Sequence, residues 1–586
     1  MTQPAAANSS TLEASVRPED VVRIERAHRC DALPDIDPHL PWPNMAALWR
    51  HNVDRYGDKT WMLYYPCRED HEAPQRFTYR QFGDLIRRVA ALLQNRFGIA
   101  PGQAVATLAR NQPTTAAIYF AAWSLGARVV PVNPSEADDR VGYIVGNSAA
   151  RVLIVHDSLA ERYASVAAVV PKDTQLAVMT DDGRSSANVP PGWSDFHAEL
   201  SRADADAARL ADDCHWDAEA LVVYTSGTTG MPKGVVLTQK QLFADAYAIS
   251  QWHRITEDTV MMLVLPIHHV NGTVVTLITP SFVGASVVMN NRFRSGGFWK
   301  KLADHGVHIV SVVPTLLQFL LESKEPYDRA TLPRFRHFIC GAGPLVVELA
   351  RDFQEKFHLK ILHGYGLSET VCYSCFLPVD LDWDTHCRWM YDHGFPSIGC
   401  PIIANEMAIH DAQGRAVPPG QRGEIVIRGH NVMKCYHHNP KANADTFAFD
   451  WFRSGDEGFL LKGEDGLDYF FITGRIKELI IRGGVNLSPF EIDEVLSKCP
   501  GVRVGLAVGF ENRYYGEEVG AYCQREPGSA VTADEVMAHC HQHLPASKCP
   551  KVVLFGDDIP VTSTGKFQRN KLKHLFAQWK DTQFKG

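Results

Sequence analysis

Apolar residues in the first two thirds of the chain form short runs that alternate with longer helical patterns. The run Ala104 to Arg110 is typical of a buried strand, and Thr114 to Ala127 predicts a helix that ends near Gly126. The segments RVVPV and RVLIVHD repeat the strand pattern. This alternation favours parallel sheets covered by helices, the α/β class, which bind ligands in the loops after their strands.

The pattern changes after about residue 400. The segments EIVIRG and DYFFITGR there show strand patterns in which apolar and polar residues alternate or aromatic residues are frequent. A charged turn in ITGRIKELIIRGG predicts a hinge. Beyond it, a helix over Ser488 to Lys498 and the strand patterns GLAVGF, GAYCQ and KVVLF fit a small α+β domain. We therefore expect a loosely ordered lead-in over residues 1–40, a large N-terminal domain of parallel-type sheets layered with helices over 41–475, and a small mobile C-terminal domain over 476–586.

Composition excludes several classes of protein. Among 586 residues, 45% are hydrophobic and 22% charged, which is ordinary for a globular protein. The net charge of −8 leaves no basic face for nucleic acid. The polar start MTQPAAANSS lacks a secretory pattern, and no apolar run is long and pure enough to span a membrane. Thirteen scattered cysteines indicate reduced thiols, so we expect a cytoplasmic protein.

The stretch YTSGTTGMPKGVVL follows an apolar strand and has the composition of a phosphate-binding loop. Gly227, Gly230 and Gly234 allow successive N–H groups to converge on one anion. Hydroxyl donors and the charge of Lys233 complete such a site. The spacing matches neither the P-loop nor the dinucleotide fingerprint. A plain surface loop rich in Gly, Ser and Thr is the alternative interpretation.

Five further segments concentrate reactive side chains. LPIHHVNG carries His268 and His269 beside a turn, and CGAGPL follows an apolar strand pattern. HGYGLSET places an aromatic, a hydroxyl and a carboxylate together, and WFRSGDEG exposes Asp456 in a turn. PVTSTGKFQRNKL offers Lys566 on a flexible loop.

Metal sites are the alternative hypothesis for two of these patterns. Adjacent residues on a strand point to opposite faces, so His268 and His269 do not form a ligand pair, and no third ligand is obvious. The pair Cys372 and Cys375 looks like half a zinc site or a redox pair, but further cysteines with the required spacing are missing. We interpret these cysteines as packing or pocket residues.

The order and spacing of these segments resemble the acyl-adenylate-forming superfamily, which includes acyl-CoA synthetases, adenylation domains of peptide synthetases and firefly-type luciferases. The resemblance covers roughly residues 40 to 580. It implies that the chain binds ATP, Mg²⁺ and CoA, and acts on a small-molecule carboxylic acid.

The resemblance also implies roles for single residues. Glu369 would hold Mg²⁺, whose preference for hard oxygen ligands suits a carboxylate. Lys566 would be the mobile catalytic lysine, and His269 would lie between the carboxylate and nucleotide sites. Lys477 matches the hinge position. The nucleotide-binding positions are Thr225, Ser226, Gly227, Thr228, Thr229, Gly230, Lys233, Gly341, Ala342, Gly343, Tyr365, Gly366, Ser368, Asp456, Arg475 and Lys566.

Within that set, Tyr365 would stack on the adenine and Asp456 would accept the ribose hydroxyls. Arg475 would support the nucleotide, and Ser368 stands where relatives more often have Thr. Gly483 and Gly484 would line the tunnel for the pantetheine arm of CoA. The acyl pocket would be lined by His269, Val270, Asn271, Gly272, Val312, Val313, Pro314, Gly364, Cys372 and Tyr373, which favours an aliphatic or aryl acid.

Three functions remain open at this stage. The first is a carboxylate–CoA ligase that forms an acyl-AMP intermediate and releases pyrophosphate. The second is an acyl-AMP ligase that loads the thiol of an acyl carrier protein. The third is an inactive relative that binds nucleotide or acyl ligand, which is weakened because every charged catalytic position is filled. The segments RGGVNLSPFEIDEVL and GFENRYYGEEVGAYC look more like those of CoA ligases. The protein is expected to be a monomer or a homodimer.

Overall fold

The structure is a computed structural model and describes residues 15–66, 73–181, 183–186, 188–211, 214–225, 231–343, 345–561 and 567–584. The strands are β1 Thr60–Tyr65, β2 Gln75–Thr78, β3 Ala104–Leu108, β4 Arg128–Val132, β5 Ala150–His156, β6 Gln175–Met179, β7 Ser194–Asp195, β8 Glu219–Thr225, β9 Lys233–Thr238, β10 Val260–Leu263, β11 Ser286–Asn290, β12 Ile309–Val312, β13 His337–Cys340, β14 Lys360–Tyr365, β15 Cys375–Phe376, β16 Cys400–Pro401, β17 Asn405–His410, β18 Gly423–Gly429, β19 Cys435–Tyr436, β20 Phe452–Lys462, β21 Asp468–Arg475, β22 Ile480–Arg482, β23 Val485–Leu487, β24 Val502–Asn512, β25 Gly516–Arg525 and β26 Val552–Phe555.

The α-helices are α1 Pro18–Ala27, α2 Met45–Tyr56, α3 Tyr79–Asn95, α4 Pro113–Ser124, α5 Asp138–Asn147, α6 Tyr163–Val169, α7 Phe196–Arg202, α8 Gln239–Trp252, α9 Thr279–Val283, α10 Phe298–Asp304, α11 Pro314–Glu322, α12 Val347–Phe357, α13 Trp383–Tyr391, α14 Pro440–Thr446, α15 Pro489–Ser497 and α16 Ala533–His543. One π-helix, Asn271–Ile278, precedes α9.

Two large sheets form the body of the N-terminal part. One has the order β16-β15-β14-β13-β12-β10-β11-β1-β2, and its strands from β14 to β1 are parallel. The other has the order β19-β9-β8-β4-β3-β5-β6-β7 and is parallel from β8 to β7. Helices fill the space beside them, and α4 is buried along its whole length. The α/β class expected from the alternating pattern is confirmed.

Two smaller sheets complete the chain. An antiparallel sheet of order β17-β18-β20-β21 follows the large sheets. The last sheet has the order β23-β22-β25-β24, with β26 parallel to β25. Because α15 and α16 pack against this sheet around a separate apolar cluster, the C-terminal residues have a core of their own. A large N-terminal body with a smaller C-terminal α+β part is as the sequence predicted.

The first residues that the structure describes pack against the body. The Asp20 side chain in α1 is fully buried, and Arg17 donates to it at 2.6 Å. The ring of His28 lies 2.9 Å from the carbonyl oxygen of Met433, and the Asn443 amide donates to the carbonyl of Ser15 at 2.7 Å. The expectation of a loosely ordered lead-in over residues 1–40 therefore differs from the structure for residues 15–40, because hydrogen bonds and ion pairs hold this segment in place.

The two parts meet across two helix ends. The Val347 N–H at the start of α12 donates to Oε2 of Glu494 in α15 at 3.1 Å. Lys498 Nζ lies 3.1 Å from Oε1 of Glu348 and 3.4 Å from Oε1 of Glu494. A charged cluster thus joins the N-terminal body to the small C-terminal part.

Candidate active site

The strand that precedes the candidate phosphate loop in the sequence is β8, which ends at Thr225. Thr225 closes β8 and pairs with Lys233, the first residue of the antiparallel β9. Ser226, Gly227, Thr228, Thr229 and Gly230 lie outside the described residues. The Lys233 ammonium lies 3.9 Å from the ring centre of Tyr436, a residue of β19, which pairs with β9. This cation–π contact holds the lysine side chain at the start of β9.

Glu369 lies in a 3-10 turn, Ser368–Thr370, directly after β14. Its carboxylate is buried and accepts a hydrogen bond from the Tyr436 hydroxyl at 2.7 Å. Burial lowers the pKa of Lys233, and the negative charge of Glu369 opposes that shift. Tyr436 therefore connects a carboxylate suited to Mg²⁺ with a lysine suited to phosphate.

A strained turn follows Glu369. Val371 has φ +62° and ψ −68°, and the Cys372 N–H donates to the carbonyl of Thr370 at 2.7 Å. This geometry is a γ-turn, which is rare and costs on the order of 1–3 kcal/mol for a β-branched residue. A side chain at Gly366 would lie 2.0 Å from the carbonyl oxygen of Cys372, so only glycine fits there. Both features bring the segment after Glu369 close to the end of β14.

Asp456 links the end of β14 to the end of β21. Its Oδ2 accepts from the Tyr365 hydroxyl at 2.6 Å, and its Oδ1 lies 3.1 Å from Arg475 Nε. The expectation that Asp456 is exposed in a turn is wrong, because it lies within β20 and is 1% exposed. Ser454 and Gly455 resemble a turn, yet they occupy an irregular strand in which Gly455 has φ +74°.

Arg475 faces the same group of residues. The carboxylate of Asp456 raises the pKa of Arg475 further, so its charge is permanent. Both Arg475 and Lys477 lie close enough to Lys233 for their positive charges to lower the pKa of that lysine. The site thus combines a buried acid, a buried aromatic hydroxyl and several cations beside the ends of β14 and β21, an arrangement that suits a nucleotide with its phosphates.

The segment proposed to line the adenine follows β13. Gly341, Ala342 and Gly343 come directly after Cys340, and Ala342 takes φ +68°. A Cβ on Gly341 would lie 2.6 Å from the Tyr373 hydroxyl, so the backbone approaches that ring closely. A Cβ on Gly343 would lie 3.6 Å from Cδ of Pro314.

Three of the residues proposed for the acyl pocket, Val312, Gly364 and Tyr373, lie beside Gly341. The Asn271 amide donates to the Tyr373 hydroxyl at 3.0 Å, and Gly364 approaches Phe376 in the adjacent β15. Val312 ends β12, and its carbonyl accepts from the Gly341 N–H at 3.4 Å. The other members lie on the same segments: His269, Val270, Gly272, Val313, Pro314 and Cys372.

His268 and His269 do not lie on a strand, contrary to the expectation. They occupy a turn before the π-helix, with ring centres 4.5 Å apart. His268 is buried, burial lowers its pKa, and neither ring nitrogen has a hydrogen-bond partner among the residues described. Asn271 and Gly272 begin the π-helix, where a side chain at Gly272 would collide with the carbonyl of Pro266.

The proposed hinge and tunnel lie at the start of the small part. Lys477 is exposed in a 3-10 turn, Ile476–Glu478, between β21 and β22. Gly483 and Gly484 form the tip of the β22–β23 hairpin with φ of +58° and +83°. Both are exposed, and nothing lies within 4 Å of a Cβ added to Gly484. Lys566 lies outside the described residues, although Val561 and Phe567 pair on either side of it.

The sequence analysis missed Tyr436, which connects Glu369 and Lys233. It lies in a strand of two residues, Cys435–Tyr436, without a motif of its own. Ser311, which donates to Oδ1 of Asn271 at 2.7 Å, was missed for the same reason. Across the described ranges, every helix is too short or too polar to traverse a lipid bilayer.

Comparison with known proteins identifies the family of the chain. The "AMP-binding enzyme" family matches residues 49–437, and the "AMP-binding enzyme C-terminal domain" matches residues 491–566. Oxalate–CoA ligase of Arabidopsis thaliana is 32% identical over 86% of this chain and 94% of its own. Sulfoacetate–CoA ligase of Cupriavidus necator is 33% identical over 81% and 88%.

Solved structures give the same result. MatB from Rhodopseudomonas palustris with bound ATP is 26% identical, with a TM-score of 0.78 over 91% of this chain and 99% of its own. The apo form of the same protein covers the same shares with a TM-score of 0.68. The chain belongs to the AMP-binding enzyme family of the acyl-adenylate-forming superfamily, in its acid–CoA ligase branch.

Proposed function

We propose that the protein is an ATP-dependent carboxylic acid–CoA ligase that forms an acyl-AMP, releases pyrophosphate and then makes an acyl-CoA thioester. The observation that carries this proposal is the contact of buried Asp456 with both Tyr365 and Arg475, beside the Glu369–Tyr436–Lys233 group. A ribose, an adenine and a chain of phosphates each find a suitable partner in this arrangement.

The first half-reaction activates the acid. A carboxylate oxygen attacks the α-phosphorus of ATP, the bond from that phosphorus to the pyrophosphate oxygen breaks, and acyl-AMP forms. Lys233, with the loop that begins at Thr225, would hold the outer phosphates, and the Ser368 hydroxyl would contact the α-phosphate. His269 would orient the acid, and Lys566 would stabilise the charge that grows on the α-phosphoryl oxygens.

Glu369 is suited to hold Mg²⁺. Its carboxylate is a hard oxygen ligand, buried beside Lys233, and one of its oxygens accepts a hydrogen bond from the Tyr436 hydroxyl. A bound Mg²⁺ would supply charge neutralisation for the phosphate oxygens. The tyrosine would keep the carboxylate in the orientation that the metal requires.

The second half-reaction transfers the acyl group from AMP to a thiol. The CoA sulfur attacks the acyl carbon, and AMP leaves with the bond to the acyl carbon broken. The hairpin that carries Gly483 and Gly484 exposes apolar side chains, with Ile481 51% and Val485 59% exposed. We propose that rotation about Lys477 brings this hairpin against the large domain for the second step.

The arrangement in the structure fits the first step. The chain superposes better on ATP-bound MatB than on the apo form, with TM-scores of 0.78 and 0.68 at the same identity. We therefore assign the adenylate-forming orientation to this arrangement.

The proposal defines the carboxylic acid substrate by its class. Val270, Val312 and Val313 give the pocket apolar walls, which supports an aliphatic or aryl acid. Relatives named for oxalate and sulfoacetate act on small acids, which supports a short substrate. A cytoplasmic location would supply both ATP and CoA.

A screen of carboxylic acids tests the proposal. The purified full-length chain is incubated with ATP, Mg²⁺ and each acid, with and without CoA, and AMP, pyrophosphate and thioester are measured. The proposal predicts stoichiometric AMP and pyrophosphate with one class of acid, and thioester only when CoA is present. Formation of ADP and phosphate, or the absence of AMP with every acid, would refute it.

A further inference from the structure

We propose that Ser311, Asn271 and Tyr373 form a hydrogen-bonded floor that closes the acyl pocket and restricts the enzyme to short carboxylic acids. The inference rests on the proposed ligase function and adds to it the class of acid. It starts from three hydrogen-bonded polar side chains, two of which, Asn271 and Tyr373, are among the residues proposed to line the acyl pocket.

The floor is a continuous set of hydrogen bonds. The Ser311 hydroxyl donates to Oδ1 of Asn271 at 2.7 Å, and the Asn271 amide donates to the Tyr373 hydroxyl at 3.0 Å. All three side chains are buried. Burial raises the pKa of Tyr373, so its hydroxyl keeps its proton. Each polar group has a partner, which makes the floor stable as it stands.

The floor lies across the ends of the parallel strands. Ser311 lies in β12, while Gly341 directly follows β13. A Cβ on Gly341 would lie 2.6 Å from the Tyr373 hydroxyl and 2.8 Å from the carbonyl of Gly364 in β14. The tyrosine ring therefore covers the edge at which these strands end, and this edge is where a ligand of such a sheet binds.

The ring is also fixed from behind. Tyr373 packs against Phe376, with ring centres 4.4 Å apart and planes inclined by 34°. Its carbonyl accepts from the Asn431 amide at 3.0 Å, and the same amide donates to the buried Asp245 at 3.1 Å. Because backbone and ring are both held, the floor cannot move aside without breaking several buried contacts.

These contacts select carboxylic acids by the length of their carbon chain. A long alkyl chain would have to displace the tyrosine and leave buried hydroxyl and amide groups without partners, which is unfavourable. A short acid ends before it reaches the floor. The polar floor thus excludes longer acids, both because the tyrosine ring occupies the space and because moving it would break hydrogen bonds.

Stable analogues of acyl-AMP test this inference without turnover. Propanoyl- and octanoyl-sulfamoyl adenosine are titrated into the full-length protein by calorimetry. The wild type is expected to bind the propanoyl analogue at least about tenfold more tightly. Tyr373→Ala should bind the octanoyl analogue at least about tenfold more tightly than the wild type does. Tyr119→Phe, a change at a buried tyrosine of α4, should keep the wild-type ratio.

The outcomes separate this inference from the proposed function. Equal affinity of the wild type for the two analogues would overturn the floor while leaving the ligase intact. Failure of both analogues to bind would overturn the nucleotide and acyl site, and the floor with it. Should Tyr373→Ala not fold, Ser311→Ala, which removes one hydrogen bond and little volume, should still weaken the preference for the propanoyl analogue. An unchanged preference in that variant would contradict the proposed role of the hydrogen bonds.

Discussion

The hydroxyl of Tyr436 donates to Oε1 of Glu369 at 2.7 Å while the face of its ring lies 3.9 Å from the ammonium of Lys233. One aromatic side chain thereby sets the positions of the proposed Mg²⁺ ligand and the proposed phosphate ligand. The burial of Tyr436 raises its pKa, and the carboxylate of Glu369 adds to that shift, so the hydroxyl stays protonated and remains a donor.

Tyr436→Phe should therefore weaken ATP use without dismantling the site. Loss of the hydrogen bond frees the Glu369 carboxylate, and we expect kcat/KM for ATP to fall about tenfold, or about 1.4 kcal/mol. Initial rates of pyrophosphate release at varied ATP and Mg²⁺ measure the effect. Tyr436→Leu also removes the aromatic ring that contacts Lys233, so its kcat/KM for ATP should fall further than that of Tyr436→Phe. Equal rates for Tyr436→Phe and wild type would show that Glu369 needs no such support.

Lys566→Ala should separate the two half-reactions. We expect acyl-AMP formation to slow by at least about 100-fold, on the order of 3 kcal/mol, because a charge opposite the α-phosphoryl oxygens is lost. Thioester formation from supplied acyl-AMP should be nearly unaffected. Rapid-quench assays of each step measure the two rates. Equal loss in both would contradict the rotation of the small domain.

The contact between the two domains should depend on pH through Glu494. Burial and the neighbouring Glu348 carboxylate raise the pKa of Glu494 to about 8. Glu348 and Lys498 are the charged groups that face it, and the Val347 N–H donates to it. Once the domains separate, the pKa should return to roughly 4.3. Docking therefore takes up a proton, so the docked arrangement gains stability as the pH falls below about 8 and loses it as the pH rises through that value.

Energy transfer between dyes on the two domains measures this equilibrium. Glu494→Gln, which mimics the protonated acid, should remove the change in docking across pH 8. The matched change Glu526→Gln, at an exposed position of the small domain, should leave the wild-type profile in place. An identical pH profile for Glu494→Gln and wild type would exclude Glu494 as the titrating group.

A buried ion pair holds Arg569, in the described segment that begins at Phe567. Arg569 Nη1 lies 2.8 Å from Oδ1 of Asp493 and donates to the carbonyl of Ala507 at 3.1 Å. Arg569→Ala leaves a buried carboxylate without its partner, and we expect a loss of about 3–5 kcal/mol in unfolding free energy. Urea unfolding of the full chain measures it. Replacing both partners, Asp493→Leu with Arg569→Met, should cost less. Equal destabilisation by the single and the double change would contradict this account.

Buried parallel strands were the part of the fold that the sequence predicts well. The run from Ala104 and the segment RVVPV match β3 and β4, because a fully buried parallel strand must be apolar over most of its length. The phosphate loop also follows its strand, since Thr225 ends β8. The local sequence pattern is sufficient to predict a strand where the whole strand is buried.

Long-range pairing explains what the sequence did not predict. Tyr436 reaches Glu369 only because β19 pairs with β9, and no local pattern encodes that pairing. Asp456 lies between glycines and polar residues that resemble a turn, while its burial depends on Tyr365 and Arg475 from other strands. Helix α1 is polar in composition and buries the acid Asp20, so its composition did not predict that it packs against the body.

The fate of the carboxylate oxygens tests the central claim most directly. The acid is labelled with heavy oxygen in both carboxylate positions, the full reaction with ATP and CoA is run, and the products are analysed by mass spectrometry. The account predicts one heavy oxygen in AMP and the other in the thioester, because the bond from oxygen to the α-phosphorus survives when the acyl carbon is released. AMP without label, or label in inorganic phosphate with ADP as the other product, would contradict it.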